Sequence, residues 1–193
     1  MNPWFGHGAL LLGCALCIAI RAPYEKQSKS VAIEESRHGG LEMLLIVLMG
    51  FGFLVLPVAA LTPLLAFAEY GLHPAAFAAG AACMLAGLWL FHRSHVDLGR
   101  NWSVTLELRE GHRIVEHGVY RHIRHPMYMA IFLYGIAQAL LQPNWLSGPS
   151  CLLAFTVMFA CRLQREEQMM LDRFGVDYEL YRARTKRLVP GVW

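Results

Sequence analysis

The chain of 193 residues is 56% hydrophobic and only 16% charged, with a formal net charge of +3. A soluble domain carries about 25% charged residues, so this composition excludes an ordinary soluble enzyme and places the chain in a bilayer. The polar stretches are too short to hide a separate soluble domain, and the small positive balance reports membrane topology and contact with anionic lipid rather than nucleic acid.

Five apolar segments are predicted as spans, in chain order. Residues 4–20 form the first. No Lys or Arg precedes Arg21, so the segment lacks the basic start of a signal peptide and is expected to be retained. Residues 43–68 form the second, with Pro57 and Pro63 expected to kink it or end it early. Residues 74–91 form the third. Residues 126–141 and 145–161 form the fourth and fifth, each short of the ~20 residues that a crossing helix needs. Only Gln142-Pro143-Asn144 separates them, which predicts a tight helical hairpin; the alternative is a single broken re-entrant element. Small residues in the third and fourth spans, among them Gly80, Gly87, Ala130 and Gly135, fit close helix packing.

Charge placement tests this map. All 17 Lys and Arg fall between spans one and two (Arg21 to Arg37), between three and four (Arg93 to Arg124), or after span five (Arg162 to Arg187). The N-terminus, residues 69–73 and residues 142–144 carry none. Five spans with the N-terminus outside therefore put every basic residue on the cytoplasmic side, in line with the positive-inside rule. The fold expected is an all-α integral membrane protein, a single domain over residues 1–193 with a cytoplasmic C-terminal region. Cys14 and Cys17 form a C-x-x-C inside an apolar run without a second ligand pair. They read as packing residues, as do Cys83, Cys151 and Cys161. The spacing of His92, His95, His112 and His125 fits no zinc pattern, so no metal is expected.

Two cytoplasmic stretches are long enough to build a site, residues 92–128 and 162–190. In the first, Val104, Leu106 and Leu108 alternate with Thr105, Glu107 and Arg109, which suggests an extended run ending at Gly111. The segment Gly118-Val-Tyr-Arg-His-Ile-Arg-His-Pro-Met-Tyr128 follows. Its Arg121, His122, Arg124 and His125 run directly into the fourth span, with Pro126 in the first helical turn. A cation at the centre of a span costs about 2.5–3.5 kcal/mol, whereas at the surface it is cheap and can meet a water-soluble reagent. The second stretch suggests a partly amphipathic helix broken near Gly175. There Arg162 and Glu166 stand four positions apart on one face.

The order Gly-Val-Tyr-Arg-x-x-Arg-His-Pro-x-Tyr, a hairpin, Arg162-x-x-x-Glu166-Glu167, Phe174-Gly-x-x-Tyr178-x-x-Tyr181 and Thr185-x-Arg187-Leu-Val-Pro190 resembles the isoprenylcysteine carboxyl methyltransferase family, most of all its short five-span microbial members. Phospholipid N-methyltransferases and sterol reductases share pieces of the pattern. The resemblance implies an S-adenosyl-L-methionine cofactor held by His112, Arg113, Ile114, Val115, Tyr120, His125, Pro126, Met127 and Tyr128, closed by Glu166 and Glu167, with a further contact at Thr105. It implies that Arg162 serves the methyl acceptor, with Arg162 and Glu166 as the catalytic pair. An aromatic face, Tyr120 or Tyr128, would favour the sulfonium by about 0.5–2 kcal/mol. The cofactor carboxylate would take donors from His112, His125 or Arg113, and Glu166 would receive its ammonium or ribose hydroxyls.

The implied reaction is carboxyl methyl ester formation on a lipophilic, isoprenylcysteine-like substrate that enters from the bilayer. A carboxylate acceptor needs an orienting cation, whereas an amine acceptor would need Glu166 or Glu167 as a base. The rival expectations are a phospholipid or small-thiol methyltransferase on the same scaffold, and a non-catalytic membrane binding protein.

Overall fold

The computed structural model describes residues 1–36 and 39–191; Arg37, one of the 17 basic residues, lies outside them. Helix α1 (Pro3–Lys29) opens with Pro3 in its first turn and the Asn2 side chain accepting the N–H of Trp4, which satisfies one of the free donors at the helix start. Strand β1 (Ile33–Ser36) follows. Helix α2 (Gly40–Gly50) runs through a π-turn over Phe51–Val55 into the short α3 (Leu56–Ala59). Pro63 then begins a 3-10 turn, Pro63–Ala68, behind a Thr62 cap. The expected second span thus ends early.

Helix α4 (Pro74–Leu98) is longer than the span expected there. The loop after it holds strand β2 (Glu107–Arg109). Then come α5 (Pro126–Leu141), α6 (Ser147–Phe174) and α7 (Val176–Arg184). The last expected span and the first cytoplasmic helix are therefore one helix, α6. It stops where Gly175 takes φ 51°, a conformation that glycine adopts without steric cost.

Three helices, Pro3–Lys29, Gly40–Ala59 and Pro74–Asn101, have the length and composition to cross a membrane, while Pro126–Leu141 is apolar but shorter. Their outer faces leave Leu12, Val47, Leu85 and Trp89 exposed. So continuous an apolar exterior belongs against lipid. The all-α expectation meets one departure: β1 and β2 pair antiparallel, with Ile33 opposite Arg109 and Ser36 opposite Glu107.

Helices α5 and α6 form the predicted hairpin. A side chain at Gly135 would reach within 2.9 Å of the Leu152 Cα, so the small residue permits the close approach. Tyr128 and Phe132 of α5 meet Phe155 and Phe159 of α6 edge-to-face at centroid distances of 4.8–5.8 Å, a favoured aromatic geometry.

The two ends of the bundle differ. At one end the N-terminal amine donates to the Leu72 carbonyl at 3.1 Å, and the N–H groups of Tyr70 and Trp145 donate to the Pro143 and Ala68 carbonyls, each at 3.0 Å. At the other end lie the β1–β2 pair, the Arg173–Glu34 ion pair at 2.7 Å and α7.

Candidate active site

The segment from Gly118 to Tyr128 is pinned from three directions. Asp97 at the end of α4 accepts the Val119 N–H at 2.9 Å. Gly118 is required there, because it has φ 57° and a Cβ would sit 2.0 Å from the Asp97 Oδ2. Tyr181 of α7 donates its hydroxyl to the Tyr120 carbonyl at 2.8 Å. The chain after α7 returns alongside: the N–H groups of Arg124 and His125 donate to the Lys186 and Arg187 carbonyls at 2.7 and 3.0 Å.

Against this segment lies a cavity of about 140 Å³ with charged and polar side chains set among apolar ones in its wall. Of the residues the sequence pointed to, it is lined by His112, Arg113, Ile114, Val115, Tyr120, His125, Met127, Tyr128, Arg162 and Glu166, and also by Thr105. Pro126 and Glu167 are not among the lining. Pro126 instead sets the first turn of α5. Glu167, one residue on from Glu166 and hence about 100° around the helix, turns away. It receives Arg124 at 3.1 Å, Arg187 at 2.9 Å and His125 at 3.4 Å. Arg124 also donates to the Arg182 carbonyl at 3.2 Å and to the Thr185 carbonyl, so one buried ion cluster locks α5, α6 and the C-terminal tail together.

Other lining residues carried no site expectation from the sequence, among them Trp102, Ser103, Tyr178 and Tyr181. The two tyrosines sit three apart on α7, where the family-like spacing was the signal available. Trp102 is 3% exposed and donates its ring N–H to the Met127 sulfur at 3.2 Å; nothing in its local sequence marks it.

A second cavity, apolar and about 290 Å³, lies among α1, α2, α4, α5 and α6, with Ile18, Met49, Phe53, Ile131 and Met158 in its walls. Both cavities include Trp102, Ser103, Met127, Tyr128 and Arg162 in their linings. Arg162 therefore stands at the junction of a space carrying charged side chains and a more apolar one. Its Nη1 donates to the Val104 carbonyl at 2.7 Å, and its Nε lies 3.6 Å from Glu166.

The charges are strongly set. Burial alone would raise the Glu166 carboxyl. The hydrogen bond and charge of His125, then Arg162 and the Tyr128 hydroxyl, outweigh it and hold Glu166 at about 2. Glu167 is likewise pushed up by burial but ends well below the usual carboxylate range through His125, Arg187 and Arg124. His125 shows the converse: burial disfavours its cation, and the two glutamates more than restore it. Burial and the nearby Arg173 charge lower His112 to about 4, so it is neutral at pH 7. Its Nδ1 is buried with no hydrogen-bond partner among the described residues, as a donor or acceptor kept for a ligand would be.

The cavity thus offers a free imidazole nitrogen, cations at Arg113 and Arg124, a carboxylate at Glu166 and four tyrosine rings. That set suits a small molecule carrying an amino-acid head and a cationic or aromatic body. Among the described residues no group of three or more His, Cys, Asp or Glu gathers in a metal-holding arrangement.

Fold and site define a helical membrane protein in which a cavity carrying charged side chains abuts a more apolar one, with a single arginine, Arg162, in their shared wall. Residues 80–172, just under half of the chain, match the model of the isoprenylcysteine carboxyl methyltransferase (ICMT) family. It is 29% identical over 115 residues to the protein-S-isoprenylcysteine O-methyltransferase of Schizosaccharomyces pombe, covering 58% of this chain and 48% of that one. It is 34% identical over 90 residues to the Tribolium castaneum protein of the same name, covering 47% and 32%. Among solved structures it is similar to a eukaryotic intramembrane Ras methyltransferase ICMT, with TM-score 0.54, 25% identity, and 81% of this chain and 54% of that chain covered. The chain spans about half the length of the Schizosaccharomyces pombe relative.

Proposed function

We propose that this chain is an S-adenosyl-L-methionine-dependent methyltransferase that forms a methyl ester on the carboxylate of a lipophilic, isoprenylcysteine-like acceptor reaching it from the bilayer. On this reading residues 1–193 form one methyltransferase domain of five spans, with the N-terminus outside and the site at the cytoplasmic face. The observation that carries it is the shared wall of the two cavities at Trp102, Ser103, Met127, Tyr128 and Arg162. One cavity suits a polar cofactor, the other a hydrocarbon tail, and the reacting ends would meet between them.

In this reading the cofactor lies against His112, Arg113, Ile114, Val115, Tyr120, His125, Met127, Tyr128 and Glu166, and when bound it supplies an electrophilic methyl group. Pro126 and Glu167 act through the backbone and side chains they hold. Methyl transfer to a carboxylate is an in-line displacement, which needs proximity, alignment and a dry site. Arg162 orients the acceptor carboxylate with its planar fork of donors. Tyr120 and Tyr128, both buried, exclude water and present aromatic faces.

The charge of Glu166 favours a carboxylate over an amine. A general base works best with a pKa near the operating pH, and Glu166, held at about 2, is far too weak to deprotonate an ammonium.

The test is incubation of the purified protein in lipid with labelled S-adenosyl-L-methionine and three acceptors: a prenylated cysteine, a phosphatidylethanolamine and a small thiol. Base-labile label on the prenylated cysteine alone is the expected result. Transfer to the amine or thiol instead would move the acceptor to the rival class. Cofactor binding without transfer to any would make the chain a binding protein.

A further inference from the structure

Glu42 enters the site from outside the segment 80–172. It stands in the first turn of α2, 4% exposed. Its Oε1 accepts the Leu106 N–H at 2.9 Å and lies 3.3 Å from Nη1 of Arg162. Its Oε2 is buried, with no hydrogen-bond partner among the described residues. A buried carboxylate is costly to keep unless a paired charge offsets it, and the charge beside this one is Arg162. That guanidinium is itself 11% exposed, and its Nη1 is taken by Glu42 and by the Val104 carbonyl. Glu166 faces its Nε.

We propose that Glu42 is a positioning residue that holds the Arg162 guanidinium at the junction of the two cavities, so that the rest of its fork is presented to the acceptor carboxylate. The nature of the acceptor rests on the function proposed above; the hold on Arg162 does not. An arginine on a flexible stem presents its donors in one direction only if something fixes the plane of the fork. Glu42 does this from α2, the Val104 carbonyl from the loop before β2, and Glu166 from α6. The N-terminal part of the chain thereby contributes to the site as well as anchoring it.

Glu42 also tethers the loop that lines the smaller cavity, through Leu106, and that purely structural role must be separated. Glu42→Gln does so. Its amide oxygen can still accept the Leu106 N–H, but it carries no charge toward Arg162.

The experiment uses the full chain in lipid nanodiscs with ¹⁵N-arginine, the Arg162 Nε–H signal being assigned by its loss in Arg162→Lys. An ordered Nε–H is expected in the wild type and a mobile one in Glu42→Gln. The KM for a prenylated cysteine should rise about tenfold, the loss of a charge-assisted contact. Affinity for S-adenosylhomocysteine by calorimetry should hold within about twofold, since the loop stays tethered. Glu42→Asp keeps the charge on a shorter stem and should fall between the two; it also serves if the Gln variant does not fold.

An Arg162 signal as ordered in Glu42→Gln as in the wild type overturns the proposal. So does an unchanged acceptor KM, a parallel fall in cofactor affinity, or an Asp variant no better than Gln. If the wild type methylates no acceptor, the functional reading fails, while the Arg162 signal still decides whether Glu42 holds the guanidinium.

Discussion

His125 lies between two carboxylates, with Glu166 3.6 Å from one ring nitrogen and Glu167 3.4 Å from the other, and its ring stacks on Tyr128 at 5.3 Å. Its value in the folded chain is raised above the ordinary 6.5. The stability it contributes is therefore fully present below 6.5 and is lost as pH rises through the folded value. Glu166, lowered from 4.5 to about 2, works the other way: its contribution is present above 4.5 and is lost as pH falls toward 2. His112, lowered to about 4, disfavours the folded state as pH falls below 6.5. The clean measurement is the difference in thermal midpoint between wild type and His125→Gln. It should shrink as pH rises above 6.5; a difference independent of pH would mean that His125 carries no extra proton in the folded state.

Arg162→Lys tests the acceptor role. Lysine keeps the charge but loses the fork, so methyl transfer should fall at least tenfold, the worth of one charge-assisted contact, while S-adenosylhomocysteine affinity stays near that of the wild type. Near-normal turnover would make Arg162 a helix anchor that merely reaches the interface.

At this scale much of the candidate site was legible in the sequence, because charged and aromatic residues next to an apolar run are conspicuous. Glu42 was not, since an acid in the first turn of a helix already has an ordinary explanation in the helix dipole. Its contacts with Leu106 and Arg162 are 64 and 120 residues away and leave no local trace.

Among the elements, the α5–α6 hairpin, the early end of the second span and the break at Gly175 were readable from turn residues and apolar lengths. The β1–β2 pair was only half visible. The alternation over residues 104–109 announced an extended run, but its partner Ile33–Ser36 is four residues long and polar. Neither was it visible which way Glu166 and Glu167 would face, since adjacent positions on a helix diverge by about 100° and the partner of the second lies in the tail.

That tail is held through Glu167, whose side chain is 6% exposed against an Arg124 side chain 9% exposed. Removing one partner of a buried pair leaves the other uncompensated, at about 3–5 kcal/mol. Glu167→Ala is therefore expected to lower the unfolding free energy by about that amount and to expose the C-terminal tail to protease ahead of global unfolding. A tail as resistant as in the wild type would show that the Tyr181 contact and the backbone pairing of Arg124 and His125 suffice without Glu167.

On the scale of the whole molecule, topology follows from where the loops meet. The N-terminal amine reaches Leu72, Glu69 bridges Asn144, and these three unlinked parts of the chain, which contain no Lys or Arg, close one end of the bundle. The basic loops, the β1–β2 pair and both arms of the candidate site occupy the other. Translocating that end would carry nearly all the positive charge across the bilayer against the positive-inside bias, so the site should face the cytoplasm. The five native cysteines lie in the helices. On a background with them replaced by alanine, single cysteines at Trp145, which is exposed, and at Glu110, likewise exposed, report the two ends. An impermeant maleimide applied to intact cells should label the Trp145 position and leave the Glu110 position unlabelled until the membrane is opened. Labelling of both from the same side would remove the odd number of crossings between them and, with it, the cytoplasmic placement of the site.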